Sequence, residues 1–165
     1  MKRVNELWIN VYPYLSKQAM ELYGRETGEV LEFGPFSGGI ARELKAKYPE
    51  LKVTVDAGFK LPTDKKFDLI ILRGAFFFIF DNKTLLRQIF EALKERGTAF
   101  VGGGFGKGIP QDTIDEIADE SRVLNDRLGR RRITITELRK LIQQNGLTGN
   151  TQVIEEGGVW AVIKK

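Results

Sequence analysis

The chain of 165 residues contains no cysteine and no histidine. This absence excludes disulfides, thiolate nucleophiles and imidazole bases, and with them nearly all zinc and iron sites. We therefore expect no metal site. Any chemistry must depend on carboxylates, lysines, tyrosines, backbone dipoles or a bound cofactor.

Long apolar runs are also absent. The most apolar stretch, residues 69–80, is interrupted by Arg73 and Gly74 and is shorter than the roughly 18 residues that suggest a membrane span. The first eight residues mix charges with apolar side chains and lack the apolar core of a signal peptide. These features predict a cytoplasmic protein with no membrane partner.

Composition and length are those of a globular protein. Hydrophobic residues make up 42% of the chain and charged residues 29%, and the length is near the roughly 100–150 residues of one domain. We predict a single domain over residues 1–165, with N-terminal helices in 1–24 and a sheet domain in 29–165. The net charge of +4 indicates ordinary solubility, and nucleic acid is not the expected partner.

Predicted strands and helices alternate along the chain. The N-terminus favours two short helices, one with Val4, Leu7, Trp8 and Val11 on its apolar face and one after Pro13. Helices are predicted after caps at Ser37, Thr113 and Thr136, and along an apolar stripe from Leu85 to Leu93. Strands are predicted at 29–33, 51–55, 67–72, 98–102, 151–156 and 159–164.

This alternation predicts an α/β fold, because parallel neighbouring strands need helical crossovers. The expected architecture is a Rossmann-like three-layer sandwich whose sheet has about six strands and is mostly parallel. Only Gly157 and Gly158 separate the last two predicted strands, which favours a two-residue hairpin turn and an antiparallel C-terminal strand.

The segment 29–48 has the form of an anion- or nucleotide-binding unit. A strand is followed by a glycine-containing turn over 34–39 and then by a helix. Glycines let the backbone approach a ligand closely, and a helix N-terminus offers free N–H groups. A strand, glycine turn and helix also occur in many folds that bind nothing there.

Several segments together resemble class I S-adenosylmethionine (SAM)-dependent methyltransferases of the small-molecule type. Glu32, Gly34 and Gly38 match the acidic residue and glycines of the first motif of that family. Residues 61–62 with 67–75, and 85–97, are similar to later segments, and 102–106 and 156–160 resemble a prokaryotic subgroup. The resemblance covers nearly the whole chain in the family's order.

The resemblance implies SAM as cofactor and a small molecule as methyl acceptor. It implies that Glu32, Gly34 and Gly38 hold the methionine part and that Asp56 binds either the ribose or the adenine amine. Phe36 lies in the same cofactor loop, and Arg73 is expected to face the cofactor or the acceptor. The substrate-facing residues would be Gly74, Gly103 and Phe105. It names no catalytic residue, because methyl transfer requires mainly alignment and desolvation.

The sequence departs from the family pattern in two places. The family has two strands and a helix between the motif helix and the strand at 67–72, whereas residues 49–67 have room for one strand, so one βα unit is predicted to be missing. Phe36 takes the position of the middle glycine, and Pro35 removes an N–H donor. Both features favour an alternative function, a cofactor-free binding or scaffold module.

Each candidate residue also has a structural interpretation. Glu32 would cap the glycine turn, and Asp56 would be a solvated turn acid. Arg73 would form an ion pair with Glu32 or Asp56, or bind an anionic ligand. The glycine run at 102–108 would be a flexible lid or a plain loop. Core packing is the expected role of the nearby aromatic residues Phe76, Phe77, Phe78 and Phe80.

A basic cluster near residue 130 has two interpretations. Its members are Arg127, Arg130, Arg131 and Arg132. The expected one is a solvated face offset by acidic residues at 112–120. The other is an RNA-binding surface that contacts phosphates.

Overall fold

A six-stranded sheet forms the centre of the protein. The computed structural model describes residues 6–58, 60–62, 64–77, 79 and 82–165, so the predictions for Val4, Phe78 and Phe80 lie outside the described residues. The strands are β1 (Gly28–Phe33), β2 (Leu51–Asp56), β3 (Phe67–Arg73), β4 (Leu93–Gly104), β5 (Thr151–Ile154) and β6 (Gly158–Lys164). The helices are α1 (Tyr12–Tyr23), α2 (Gly39–Lys47), α3 (Leu85–Ala92), α4 (Gln111–Arg127) and α5 (Ile135–Gln144).

The strand order confirms the predicted mixed sheet. The order is β2-β1-β3-β4-β6-β5. The pairs β1–β2, β1–β3 and β3–β4 are parallel, whereas β6 is antiparallel to both β4 and β5. The carboxyl ends of β1 to β4 therefore meet at one edge, where open α/β sheets bind their ligands.

Helices cover both faces of the sheet, as the three-layer prediction requires. The strand β3 is buried along its whole length, and its side chains alternate between the two faces. Ile70 and Leu72 pack on the face covered by α3 and α5. Leu69 and Ile71 pack on the face covered by α1, α2 and α4, as do Phe100 and Trp160. None of the described helices is long and apolar enough to cross a membrane.

The connection from β2 to β3 confirms that one βα unit is missing. In its described part, residues 57–58, 60–62 and 64–66, no helix is present. The chain crosses β1 here, because β1 lies between β2 and β3 in the sheet. The described part of the connection adds no helix to the sheet, and β2 is the edge strand.

Several predicted element ends were wrong. The cap predicted at Thr113 is not formed, since α4 begins at Gln111 directly after Pro110. The strand β4 begins at Leu93, five residues before the predicted start, because Leu93 already pairs with Phe67. The two-residue hairpin is replaced by a longer turn, with Ile154 opposite Trp160.

The cap of α5 also differs from the prediction. Thr134 caps the helix where Thr136 was expected, through a capping box. The Thr134 Oγ1 accepts a bond from the Glu137 N–H at 3.2 Å, and the Glu137 Oε2 accepts one from the Thr134 N–H at 2.7 Å. The helix therefore starts two residues earlier than expected, where both end groups find partners.

This cap generates a stability prediction. Thr134→Ala removes the side-chain acceptor and is expected to lower the free energy of unfolding by about 1 kcal/mol. Urea unfolding followed by circular dichroism measures the difference. Thr136→Ala is the matched control and is expected to change stability much less. An equal loss in both variants would contradict the assignment of the cap.

Candidate active site at the carboxyl edge of the sheet

The turn after β1 depends on glycine. Gly34 and Gly38 have φ angles of 98° and 109°, in the region that side chains disfavour. A Cβ on Gly34 would lie 2.7 Å from the Leu72 Cδ1 atom. The Gly34 N–H donates to the Asp56 carbonyl at 2.9 Å, which ties the turn to the end of β2. The turn thus has room for backbone only.

Glu32 caps the helix that follows this turn. Its side chain is fully buried, and its Oε2 accepts bonds from the N–H groups of Gly38 at 2.9 Å and Ala41 at 2.7 Å. The predicted cap at Ser37 was wrong, because the Ser37 hydroxyl donates to the Asp56 carbonyl at 3.4 Å. The structural interpretation of Glu32 is therefore observed. The second oxygen, Oε1, has no partner among the described residues.

The burial of Glu32 has an electrostatic consequence. Desolvation raises the pKa of Glu32 above its ordinary value of 4.5, although bonds from Ala41 and Gly38 and the charge of Arg73 oppose the rise. A raised pKa in the folded state means that the stabilisation from this group is fully present below the unfolded pKa. It is lost as the pH rises through the folded pKa.

Glu32→Gln tests this sign. The neutral amide retains an oxygen that accepts from the helix N-terminus, and it does not titrate. We expect the stability of the native protein relative to the variant to decrease as the pH rises from about 4 to 7. Urea unfolding across this range measures it, and the exposed Glu50→Gln controls for the loss of one charge. A relative gain by the native protein with rising pH would contradict the direction.

Arg73, the last residue of β3, is held among aromatic rings. Its Cζ lies 4.2 Å from the ring centroid of Trp8, 5.6 Å from that of Tyr12 and 5.2 Å from that of Phe36. One Nη donates to the Phe36 carbonyl at 3.0 Å, while Nε is buried without a partner among the described residues. Burial lowers the pKa of Arg73. The ion pair predicted with Glu32 or Asp56 is not formed, since cation–π contacts stabilise the guanidinium here.

The Phe36 side chain packs on Gly74, next to Arg73. A Cβ on Gly74 would lie 2.5 Å from the Phe36 Cδ2 atom, and Gly74 has a φ angle of 73°. The Gly74 N–H donates to the Gly102 carbonyl at 2.7 Å and so joins the ends of β3 and β4. The ring thus extends from the turn after β1 across to the end of β3.

A cavity of about 230 Å³ opens beside this ring, and we call it the β3–β4 cavity. It contains five of the residues that the sequence singled out: Phe36, Arg73, Gly74, Gly103 and Phe105. The other lining residues are Trp8, Phe77, Gly104, Ser121, Leu124, Asn125, Leu128, Arg130 and Arg132. The cavity therefore combines an apolar wall with several guanidinium groups.

Sequence reasoning missed part of this wall. Trp8 stacks on Phe105 with ring centroids 5.5 Å apart, so the N-terminal segment closes one side. Arg130 and Arg132 line another side, while Arg127, Arg131 and Arg132 are exposed, as the solvated-face interpretation of the cluster expects. Arg131 instead pairs with Glu137. Apolar periodicity marked Trp8 only as a packing residue, and the arginines lie far from the motifs in sequence.

The glycine run after β4 behaves as a plain loop. The N–H groups of Phe105 and Gly106 donate to the Gly157 carbonyl at 2.8 and 3.0 Å. The Lys107 N–H donates to the Gln18 side chain at 3.0 Å. These bonds anchor the run to β6 and α1, and they favour the loop interpretation over the lid.

A second and wider cavity, of about 930 Å³, lies beside the end of β2, and we call it the β2 groove. Asp56 lines it together with Leu61, Pro62 and Asp64 from the β2–β3 connection. The Asp56 Oδ1 accepts from the Gly58 N–H at 2.7 Å. The groove extends along this connection to α3, and its other lining residues are Lys60, Lys65, Lys66, Asn82, Gln88, Glu91 and Ala92. Among the described residues, none lines both cavities, and Gly34, Gly38 and Glu32 line neither.

Comparison with solved structures finds this fold among methyltransferases. A candidate S-adenosyl-L-methionine-dependent methyltransferase from Methanococcus maripaludis is 22% identical, covers 96% of this chain and 87% of its own, and has a TM-score of 0.77. A SAM-dependent methyltransferase from Thermotoga maritima, with a suggested histamine N-methyltransferase activity, is 17% identical over 99% of this chain and 94% of its own, with a TM-score of 0.56.

A human enzyme extends the comparison. N-acetylserotonin methyltransferase in complex with SAM is 16% identical over 94% of this chain, with a TM-score of 0.60, and this chain spans 52% of its length. Neither a family model nor a curated protein sequence matches the chain. The protein thus has the Rossmann-like fold of class I SAM-dependent methyltransferases, with one βα unit missing.

Proposed function

We propose that the protein is a SAM-dependent methyltransferase that acts on a small-molecule acceptor in the cytoplasm. The observation that carries the proposal is a pair of separate cavities, one that includes Asp56 at the end of β2 and one at the carboxyl ends of β3 and β4. A nucleoside and an acceptor need separate spaces, and these two cavities supply them.

The nucleoside end of the cofactor fits the β2 groove. Since β2 pairs directly with β1, it takes the place of the family's strand whose terminal acid holds the ribose hydroxyls. Asp56 lies at the end of that strand with its carboxylate on the groove. We therefore assign Asp56 to the ribose hydroxyls in preference to the adenine amine.

The methionine end of the cofactor would bind two buried side-chain atoms that lack hydrogen-bond partners. The Glu32 Oε1 is a buried acceptor and the Arg73 Nε is a buried donor, and neither has a partner among the described residues. The two groups are near enough for each charge to shift the pKa of the other. An ammonium at Glu32 and a carboxylate at Arg73 would satisfy both, with Gly38, where a Cβ would meet open space, giving close access to the backbone.

The bound cofactor would supply a methyl group on a positively charged sulfur, which requires alignment and exclusion of water. The apolar side chains of Trp8, Phe36 and Phe105 would exclude water from the β3–β4 cavity, and Gly74 and Gly103 would leave room for the acceptor. Among the described lining residues of this cavity, none carries a carboxylate, amine, phenol or imidazole that could act as a base. An acceptor atom that already presents a lone pair fits such a lining.

The Phe36 side chain has to move for this function. Its ring covers Gly74 at the point where the methionine part would cross from β1 to β3. Rotation of the ring costs the packing that it makes there, so a fraction of the binding free energy is used to displace it.

Phe36→Gly is expected to raise the affinity for S-adenosylhomocysteine about tenfold, because the ring no longer has to be displaced. Calorimetry on the native protein and the variant measures this change. Adenosine, which lacks the methionine part, is the control and is expected to bind both proteins equally. Failure of both proteins to bind the cofactor would contradict the proposal and favour a cofactor-free binding module.

Asp56→Asn is expected to weaken S-adenosylhomocysteine binding about tenfold or more, because a charged hydrogen-bond acceptor for the ribose is lost. Asp64→Asn removes the same charge from the same groove and is the matched control. Calorimetry separates the two variants. Equal affinities for both variants and the native protein would contradict the role of Asp56.

A further inference from the structure

Among the described residues that line the β3–β4 cavity, the charged ones are all arginines, namely Arg73, Arg130 and Arg132. We propose that the acceptor is an oxyanion with an apolar body, a small molecule with a carboxylate or phosphate group attached to an aromatic or aliphatic part. This inference rests on the proposed function, because it names the substrate class of the same site.

The guanidinium groups of the three arginines converge on the cavity. The Arg130 Cζ lies 5.4 Å from the Phe36 ring centroid and 5.9 Å from that of Phe77. An Nη of Arg132 lies 3.7 Å from the position that a Cβ on Gly103 would take. Among the described residues, no carboxylate pairs with the guanidinium of Arg73, Arg130 or Arg132.

The positive charge of these arginines favours an anionic ligand in the cavity. Like charges in a partly enclosed cavity repel each other more than they would in water, and an anion relieves that repulsion. The planar guanidinium fork matches the geometry of carboxylates and phosphates. A cationic amine would instead meet the positive groups of Arg130 and Arg132, with no carboxylate among the described lining residues. The cavity therefore disfavours amine acceptors and favours acids.

The remaining wall selects an apolar body of small size. Trp8, Phe77, Phe105, Leu124 and Leu128 line the cavity between the arginines. Its volume of about 230 Å³ is below the roughly 300–1,000 Å³ of typical ligand pockets. A molecule of one or two rings fits this space, with its charged group at the arginines.

The position of Arg132 separates this anion from the carboxylate of the cofactor. Arg132 lies near Gly103 on β4, which is two strands away from β1. Neighbouring strands are about 4.8 Å apart, so the distance to the glycine turn is about 10 Å. Arg73, on the strand next to β1, is the residue suited to the cofactor. Arg132 and Arg130 are suited to the acceptor.

Four matched probes test the proposal: 2-naphthoate, 2-naphthyl phosphate, the neutral 2-naphthamide and the cationic 2-naphthylmethylamine. Binding to the full chain is measured by calorimetry, with and without S-adenosylhomocysteine. We expect one or both anions to bind and the amide and amine to bind at least about tenfold more weakly. The better of the two anions distinguishes a carboxylate acceptor from a phosphate acceptor.

Arginine variants locate the binding. Arg132→Gln and Arg130→Gln are each expected to weaken the anion about tenfold. Arg127→Gln removes the same charge from an exposed position outside the cavity lining and is expected to leave binding unchanged. Circular dichroism confirms that each variant is folded.

The outcomes separate this inference from the proposed function. Equal or tighter binding of the amine or amide, an equal loss in Arg127→Gln, or no binding of either anion would overturn the inference. Binding of S-adenosylhomocysteine without binding of the anions would leave the methyltransferase proposal standing alone. Binding of the anions without S-adenosylhomocysteine would support anion recognition and contradict the methyltransferase proposal.

Discussion

The buried carboxylate of Glu32 holds together the part of the protein on which the candidate site depends. It joins the end of β1 to the start of α2, because it accepts hydrogen bonds from two backbone N–H groups there. A negative group at a helix N-terminus is favourable, and leaving those donors unpaired inside the protein would be costly. The glycine turn between the two elements can then follow a tight path, and its Gly34 N–H reaches the end of β2. One side chain thus positions the strand, the turn and the helix around the crevice.

Arg73 performs a similar task on the next strand. Its guanidinium lies between Trp8 and Tyr12 of the N-terminal segment and Phe36 of the turn. A buried charge normally needs an opposite charge, but aromatic faces and one carbonyl take that place here. The N-terminal segment is therefore more than a cover for the sheet, because it completes the wall of the β3–β4 cavity. With these contacts made, the Nε of Arg73 has no hydrogen-bond partner among the described residues.

The missing βα unit affects the site more than the core. Both faces of the sheet keep a continuous set of buried side chains around β3. The loss opens the edge beside β2, where the connection runs without a helix and leaves a wide groove next to Asp56. Asp56 remains in place because β2 pairs with β1 in parallel register up to Phe33 and Asp56. A shortened chain can therefore retain the ends of the strands that carry the candidate site.

Sequence alone determined the strands and the missing βα unit, since apolar periodicity and segment length are local properties. It also determined that most strands are parallel, from the alternation of strands and helices, and that the final strand is antiparallel. It also singled out Phe36, Arg73, Gly74, Gly103 and Phe105, which follow strand ends and meet at one edge for topological reasons. Helix caps were harder to predict from the sequence. The backbone N–H groups at the start of α2 donate to Glu32 on the preceding strand and not to the adjacent Ser37. Only the tertiary structure brought Trp8, Arg130 and Arg132 to the cavity, because contacts between segments far apart in the chain leave no periodic signal in the sequence.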